Sequence, residues 1–137
     1  MTTVRVLTWN VNSLRAAGRH LEDVEIGVIE NMDVLFLQET RMGHDNIEMV
    51  RTDVFHPFEI FNVEFPSHLY GGTGLGRNGV AIFVRGGSCL GSVRTVKRWL
   101  PGWSEKNCEG RYLEVQFSNG GSDANINLFP NSQSGKR

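Results

Sequence analysis

Asp33-Val34-Leu35-Phe36-Leu37-Gln38-Glu39-Thr40-Arg41 is the stretch that decides how this chain is read. Four long apolar residues run straight into an amide, a carboxylate, a hydroxyl and a guanidinium, so a buried strand opens into a polar site. In open α/β sheets, ligands gather beyond the carboxyl ends of the strands, where the loops diverge and leave a crevice. Glu39, just past such a strand, is placed to hold a metal ion or a proton. The competing reading is a solvated carboxylate paired with Arg41, the commoner fate of an exposed acid.

Upstream, Val4-Arg5-Val6-Leu7-Thr8-Trp9 alternates and is rich in β-branched residues, which predicts a strand. Asn10-Val11-Asn12-Ser13 follows, with Ser13 the expected N-cap of a helix. Leu14, Ala17, Leu21, Val24 and Val28 recur every three or four residues, predicting one apolar stripe on one helix to about Asn31. Gly18 and Gly27 weaken that helix, each by about 1 kcal/mol against alanine. The order β-α-β implies two parallel strands joined by a right-handed crossover. Parallel neighbours end on the same edge of a sheet, so Asn10 and Glu39 are expected to converge.

Downstream, residues 43–57 are polar, with a short helix expected over Asn46 to Thr52. Phe58 to Val63 and Val80 to Val84 read as strands. Between them Gly74, Gly76 and Gly79 formally spell G-x-G-x-x-G. A dinucleotide fingerprint must follow a strand and open a helix; this one precedes a strand, so no such cofactor is expected. Gly91 to Trp99 is a further strand, and Arg94, Lys97 and Arg98 on it are read as a solvated outer face, with phosphate contact the alternative. Arg111 to Phe117 alternates, Asn119-Gly120-Gly121-Ser122 supplies a hairpin turn, and Ala124, Ile126 and Leu128 continue the return strand. The fold class is mixed α/β, with a β-sheet covered by helix on one face.

A length of 137 residues and 39 % hydrophobic content suit one domain. Fourteen basic against fifteen acidic residues leave a net charge of -1, so a nucleic-acid partner needs a local basic patch or a metal ion to hold it. Cys89 and Cys108 fit no metal-ligand spacing and read as free thiols. No apolar run approaches the roughly 18 residues of a membrane span, and the N-terminus lacks signal-peptide order, so a soluble cytoplasmic protein is expected. His20, His44, His56 and His68 lack the i, i+4 pairing of a helical zinc site. No Gly-x-Ser-x-Gly elbow is present. Trp99 and Trp103 flank Pro101, where they either stack on a base or pack within the loop, the commoner use.

Thr8 to Ala16 and Asp33 to Arg41 resemble the first two signature blocks of the exonuclease III type of abasic-site endonuclease, within the endonuclease/exonuclease/phosphatase superfamily. Asn78-Gly79-Val80-Ala81-Ile82, Glu109-Gly110-Arg111 and Phe129-Pro130-Asn131 resemble the next three, in order. The resemblance implies a four-layer α/β sandwich, with residues 1–137 as its N-terminal half and a partial domain. It implies magnesium- or manganese-dependent cleavage of double-stranded DNA at abasic sites, in base excision repair. By position Glu39 and Asn10 would be the catalytic pair and hold the metal, Asn12 would support them from behind, and Arg41, Asn78 and Asn131 would contact substrate.

The family's tyrosine before the proline is here Leu128, and its later blocks, which carry further acidic and histidine residues, are missing. General-base help is typically worth ~10²–10⁴ in rate, so impaired activity is expected. A sheet face bearing Leu113, Val115, Ile126 and Leu128 is expected to lie open and to offer a surface for self-association. The alternatives are a non-catalytic binding or dimerising module on the same fold, or a nuclease or phosphatase of a sister branch.

Overall fold

A computed structural model describes residues 4–42, 54–71, 77–87, 91–119 and 122–128. The predicted short helix over 46–52, along with Cys89, His44, Gly74, Gly76 and Asn131, lies outside them. The first sheet has the order β1-β2-β4-β3, from β1 (Val6–Asn10), β2 (Val34–Gln38), β3 (Phe58–Val63) and β4 (Val80–Arg85). β1 and β2 run parallel, with Val6 opposite Val34 and Asn10 opposite Gln38. β4 is antiparallel to both β2 and β3.

The decisive stretch sits inside this sheet, and both its faces are covered, which is why it reads as a continuous apolar run. Leu35 and Leu37 join Ala81 and Phe83 against Leu14 and Ile29 of the helices and against Phe55 and Phe58. Val34 points the other way, into a second core with Val80, Ile82 and Val84. That second core is closed by a separate antiparallel sheet, β5 (Ser92–Lys97), β6 (Leu113–Asn119) and β7 (Ser122–Leu128), in the order β5-β6-β7. Helices, first sheet and second sheet thus form three successive layers of a mixed α/β fold.

Two expectations change. The downstream strands form a second sheet, and the face bearing Leu113 and Val115 is fully buried against the first, with Ile126 and Leu128 half-buried beside them. The open face offered for self-association is therefore closed within the chain. The single helix to Asn31 is two helices, α1 (Leu14–Arg19) and α2 (Asp23–Glu30). α1 ends at His20, and Glu22 starts α2 with its backbone N–H donating to Glu25 Oε1 at 2.8 Å. The break re-phases the second half of the stripe: Val24 and Val28 are 72 % and 43 % exposed, and Ile29 is buried in their place. Ser13 caps α1 as expected, accepting from Ala16 N–H at 3.3 Å.

Arg85 at the end of β4 locks α2 to the sheet. Its guanidinium lies 4.4 Å from the Phe58 ring centre and donates to the carbonyls of Met32, Ile29 and Glu30 at 2.8, 3.0 and 3.0 Å. A short helix α3 (Glu105–Cys108) precedes β6. No described helix is long and apolar enough to cross a membrane.

Candidate active site

Because β1 and β2 are parallel, their carboxyl ends lie side by side, and β4 and β6 begin at the same edge. Asn10 closes β1, and Glu39 follows β2 directly. The two loops are laced to each other: Val11 N–H donates to Gln38 O at 3.0 Å, Ser13 N–H to Glu39 O at 2.8 Å, and Leu14 N–H to Thr40 O at 2.9 Å. The second loop is laced in turn to the start of β4, with Thr40 N–H on Gly79 O at 3.0 Å and Arg41 N–H on Asn78 O at 2.9 Å. Gly79 N–H then donates to Gly110 O at 3.2 Å, which ties in the approach to β6.

The lacing holds the backbone where side chains rarely go. Asn12, Ser13, Glu39, Arg41, Asn78 and Glu109 have φ between 48° and 90°. Two glycines let the loops close. A Cβ on Gly79 would stand 2.5 Å from Thr40 Oγ1, a buried hydroxyl with no partner among the described residues. A Cβ on Gly110 would stand 2.6 Å from the Glu64 carbonyl and Phe65 nitrogen.

At this edge each side chain is held locally. Asn10 Oδ1 accepts from Asn12 N–H at 3.1 Å, which fixes the amide's orientation. Glu39 Oε1 accepts from Arg41 Nη2 at 3.0 Å, and both side chains are more than 40 % exposed, so the pair is worth little and parts readily. Asn78 Nδ2 donates to the Glu109 carbonyl at 2.9 Å and braces the β6 approach. The structure thus brings Asn10, Asn12, Glu39, Arg41 and Asn78 to one edge, while Asn131 lies outside the described residues.

Sequence reasoning misses Glu109 as a hub. Its carboxylate lies 3.1 Å from the Tyr70 hydroxyl, 3.7 Å from Arg111 Nη2 and 3.8 Å from Arg77 Nη2. Arg77 stacks 4.5 Å from the centre of the Phe65 ring, which in turn packs 4.9 Å from Tyr70. Burial, then the hydrogen bond to Glu109 and its charge, push the Tyr70 phenol above its ordinary pKa. The available signal was Glu109-Gly110 itself, an acid before a glycine between two apolar segments, where a turn with positive φ is expected.

No group of three or more His, Cys, Asp or Glu side chains able to hold a metal occurs among the described residues. Glu39 with the Asn10 amide still suits magnesium, which takes one or two carboxylates and fills its remaining positions with water and substrate phosphate.

Residues 7–103 match the Endonuclease/Exonuclease/phosphatase family. No curated protein matches the sequence at a significant level. Solved structures of similar fold include the AP endonuclease LMAP from Leishmania major, at TM-score 0.63 and 18 % identity over 93 % of this chain and 40 % of that one. The catalytic domain of Xenopus laevis APE2 gives TM-score 0.59 and 16 % identity, over 90 % of this chain and 43 % of that one. The human Nocturnin catalytic domain with bound sulfate gives TM-score 0.52 and 16 % identity, over 90 % and 48 %. The chain therefore spans less than half the length of these neighbours.

Proposed function

Since the chain belongs to the endonuclease/exonuclease/phosphatase family, we propose that it carries the Asn10–Glu39 part of a metal-dependent phosphodiester hydrolase acting on double-stranded DNA at abasic sites, in the manner of the repair nucleases. The observation that supports this reading is that Asn10 and Glu39 stand at the adjacent carboxyl ends of two parallel strands. The family generally depends on divalent metals. Magnesium or manganese would be held by Glu39 and Asn10 together with a substrate phosphate, and when bound it neutralises charge developing on the phosphate and leaving oxygen.

The chain's own residues orient and counterbalance. Asn12 holds the Asn10 amide in place through its N–H. Arg41 neutralises Glu39 until substrate arrives, then turns its guanidinium to the phosphate. Among the described residues no histidine or second carboxylate joins Asn10 and Glu39 to take the proton of the attacking water. Nicking of an abasic-site duplex in magnesium is expected at least about a thousandfold below that of the Leishmania enzyme, the scale of a lost acid–base group.

Glu39→Gln should abolish what remains, and EDTA should do the same. Nicking that survives either change would overturn the reading. Parallel arms with intact duplex, RNA and a phosphoinositide assign the substrate branch.

A further inference from the structure

Among the described residues, Trp99 and Trp103 are the only aromatic side chains left more than two-fifths exposed, at 41 % and 45 %. Each is thus seated in the loop with part of its surface open to solvent. They flank Pro101 and Gly102, in a locally basic part of the chain: from Arg94 to Arg111 there are five cations against two carboxylates, while the whole chain carries -1.

The fold sets this loop on the candidate site's edge. β5 ends at Lys97, opposite Glu114 near the start of β6, and the approach to β6 is bonded to Gly79 through Gly110. The loop is also held in shape. Leu100 N–H donates to Cys108 Sγ at 3.2 Å, Trp103 N–H to Leu100 O at 2.9 Å, and the Tyr70 hydroxyl to Lys106 O at 2.9 Å. Rings presented on a fixed loop lose little freedom when a planar group stacks on them, and flanking cations complement phosphates.

We infer that Trp99 and Trp103, with Lys97 and Arg98, form a stacking surface for unpaired bases of a nucleic-acid strand led to the Asn10–Glu39 edge. The assignment rests on the hydrolase reading for its position, yet its chemistry is separate: π-faces take bases of any sequence, and the cations track the backbone.

The test uses the full chain in EDTA, so that nothing is cleaved, and measures fluorescence anisotropy of labelled twelve-nucleotide probes: single-stranded DNA, single-stranded RNA and a DNA duplex. Either single strand should bind more tightly than the duplex, and the two arms identify which sugar is preferred. Trp99→Ala and Trp103→Ala should each weaken single-strand binding about tenfold or more, and Trp99→Phe should stay within about threefold of wild type, because a smaller ring still stacks. Lys97→Ala and Arg98→Ala should each lower the salt slope by about 0.7.

Wild-type-like binding by both alanine variants, an equal loss in the phenylalanine variant, or no single-strand binding by the wild type would overturn the assignment. Nicking that persists beside Trp-independent binding sinks the stacking surface alone. Trp-dependent strand binding without metal-dependent nicking sinks the hydrolase reading alone.

Discussion

Gly110→Ala tests whether the β6 approach is wedged against the loop after β3 as tightly as the geometry requires. The new methyl would lie 2.6 Å from three backbone atoms, Glu64 C, Glu64 O and Phe65 N, none of which can swing aside as a side-chain tip would. The backbone at Gly110 also has φ +72°, where an L-residue costs about 1–2 kcal/mol. Overpacking against a fixed neighbour adds about 1–3 kcal/mol, so a total loss of about 2–5 kcal/mol is expected. Gly102→Ala separates the two contributions, since its φ is +85° but nothing lies within 4 Å of the added atom. That control should lose only the backbone cost of about 1–2 kcal/mol. Urea melts followed by circular dichroism give both numbers, and hydrogen exchange at Gly79, whose N–H donates to Gly110 O, should quicken in Gly110→Ala alone. Equal losses in the two variants, with unchanged exchange at Gly79, would refute the wedge.

Arg85→Ala removes three hydrogen bonds to carbonyls at the end of α2 together with the stack on Phe58, and should cost about 3 kcal/mol in a urea melt. Arg85→Lys keeps the charge but loses the planar fork, so an intermediate value is expected; a lysine variant as stable as wild type would show that charge alone suffices. Tyr112 donates to Glu114 Oε1 at 2.9 Å, and burial, the hydrogen bond and the Glu114 charge push its phenol up to about 12. The folded state thus keeps a proton that the unfolded state sheds above its ordinary value of 10, so this contribution is full below pH 10 and is lost as the pH rises towards 12. Tyr112→Phe should flatten the fall in stability between those limits, and an unchanged slope in pH-dependent melts would count against this origin.

What the sequence made legible follows from local chemistry. β3 and β4 were readable because runs such as Phe58 to Val63 are β-prone and bounded by polar turns, and the β1–β2 pairing followed from a helical crossover between two such runs. Two failures share one cause, since tertiary packing overrode local pattern. A stripe from Leu14 to Val28 is blind to the end of a helix at His20, because Glu22 and Glu25 can restart a helix inside a helical period. Likewise alternation in Leu113, Val115 and Phe117 says that one face is buried, but not what buries it. Of the candidate site, Asn10 and Glu39 were legible as polar residues at the ends of two strands. The Glu109 hub was not, because it is assembled by Tyr70, Arg77 and Arg111 from three separate segments.

The distribution of backbone strain carries the argument one step beyond the contacts. All six described non-glycine residues with positive φ, from Asn12 to Glu109, belong to the loops at one edge of the first sheet. Each such conformation costs on the order of 1 kcal/mol or more, and glycine would relieve it. A fold selected for stability alone has no use for an asparagine, a glutamate and an arginine in those positions. The cost is sustained because the interloop hydrogen bonds from Val11 through Gly110 over-determine the backbone, leaving the side chains of Asn10 and Glu39 at fixed roots beside each other. Fixed roots matter most where a group must meet a metal and a phosphate within a fraction of an ångström, since small misplacements cost large factors in rate. The strain, the lacing and the two close-approach glycines therefore point to the same edge, independently of the residue types found there.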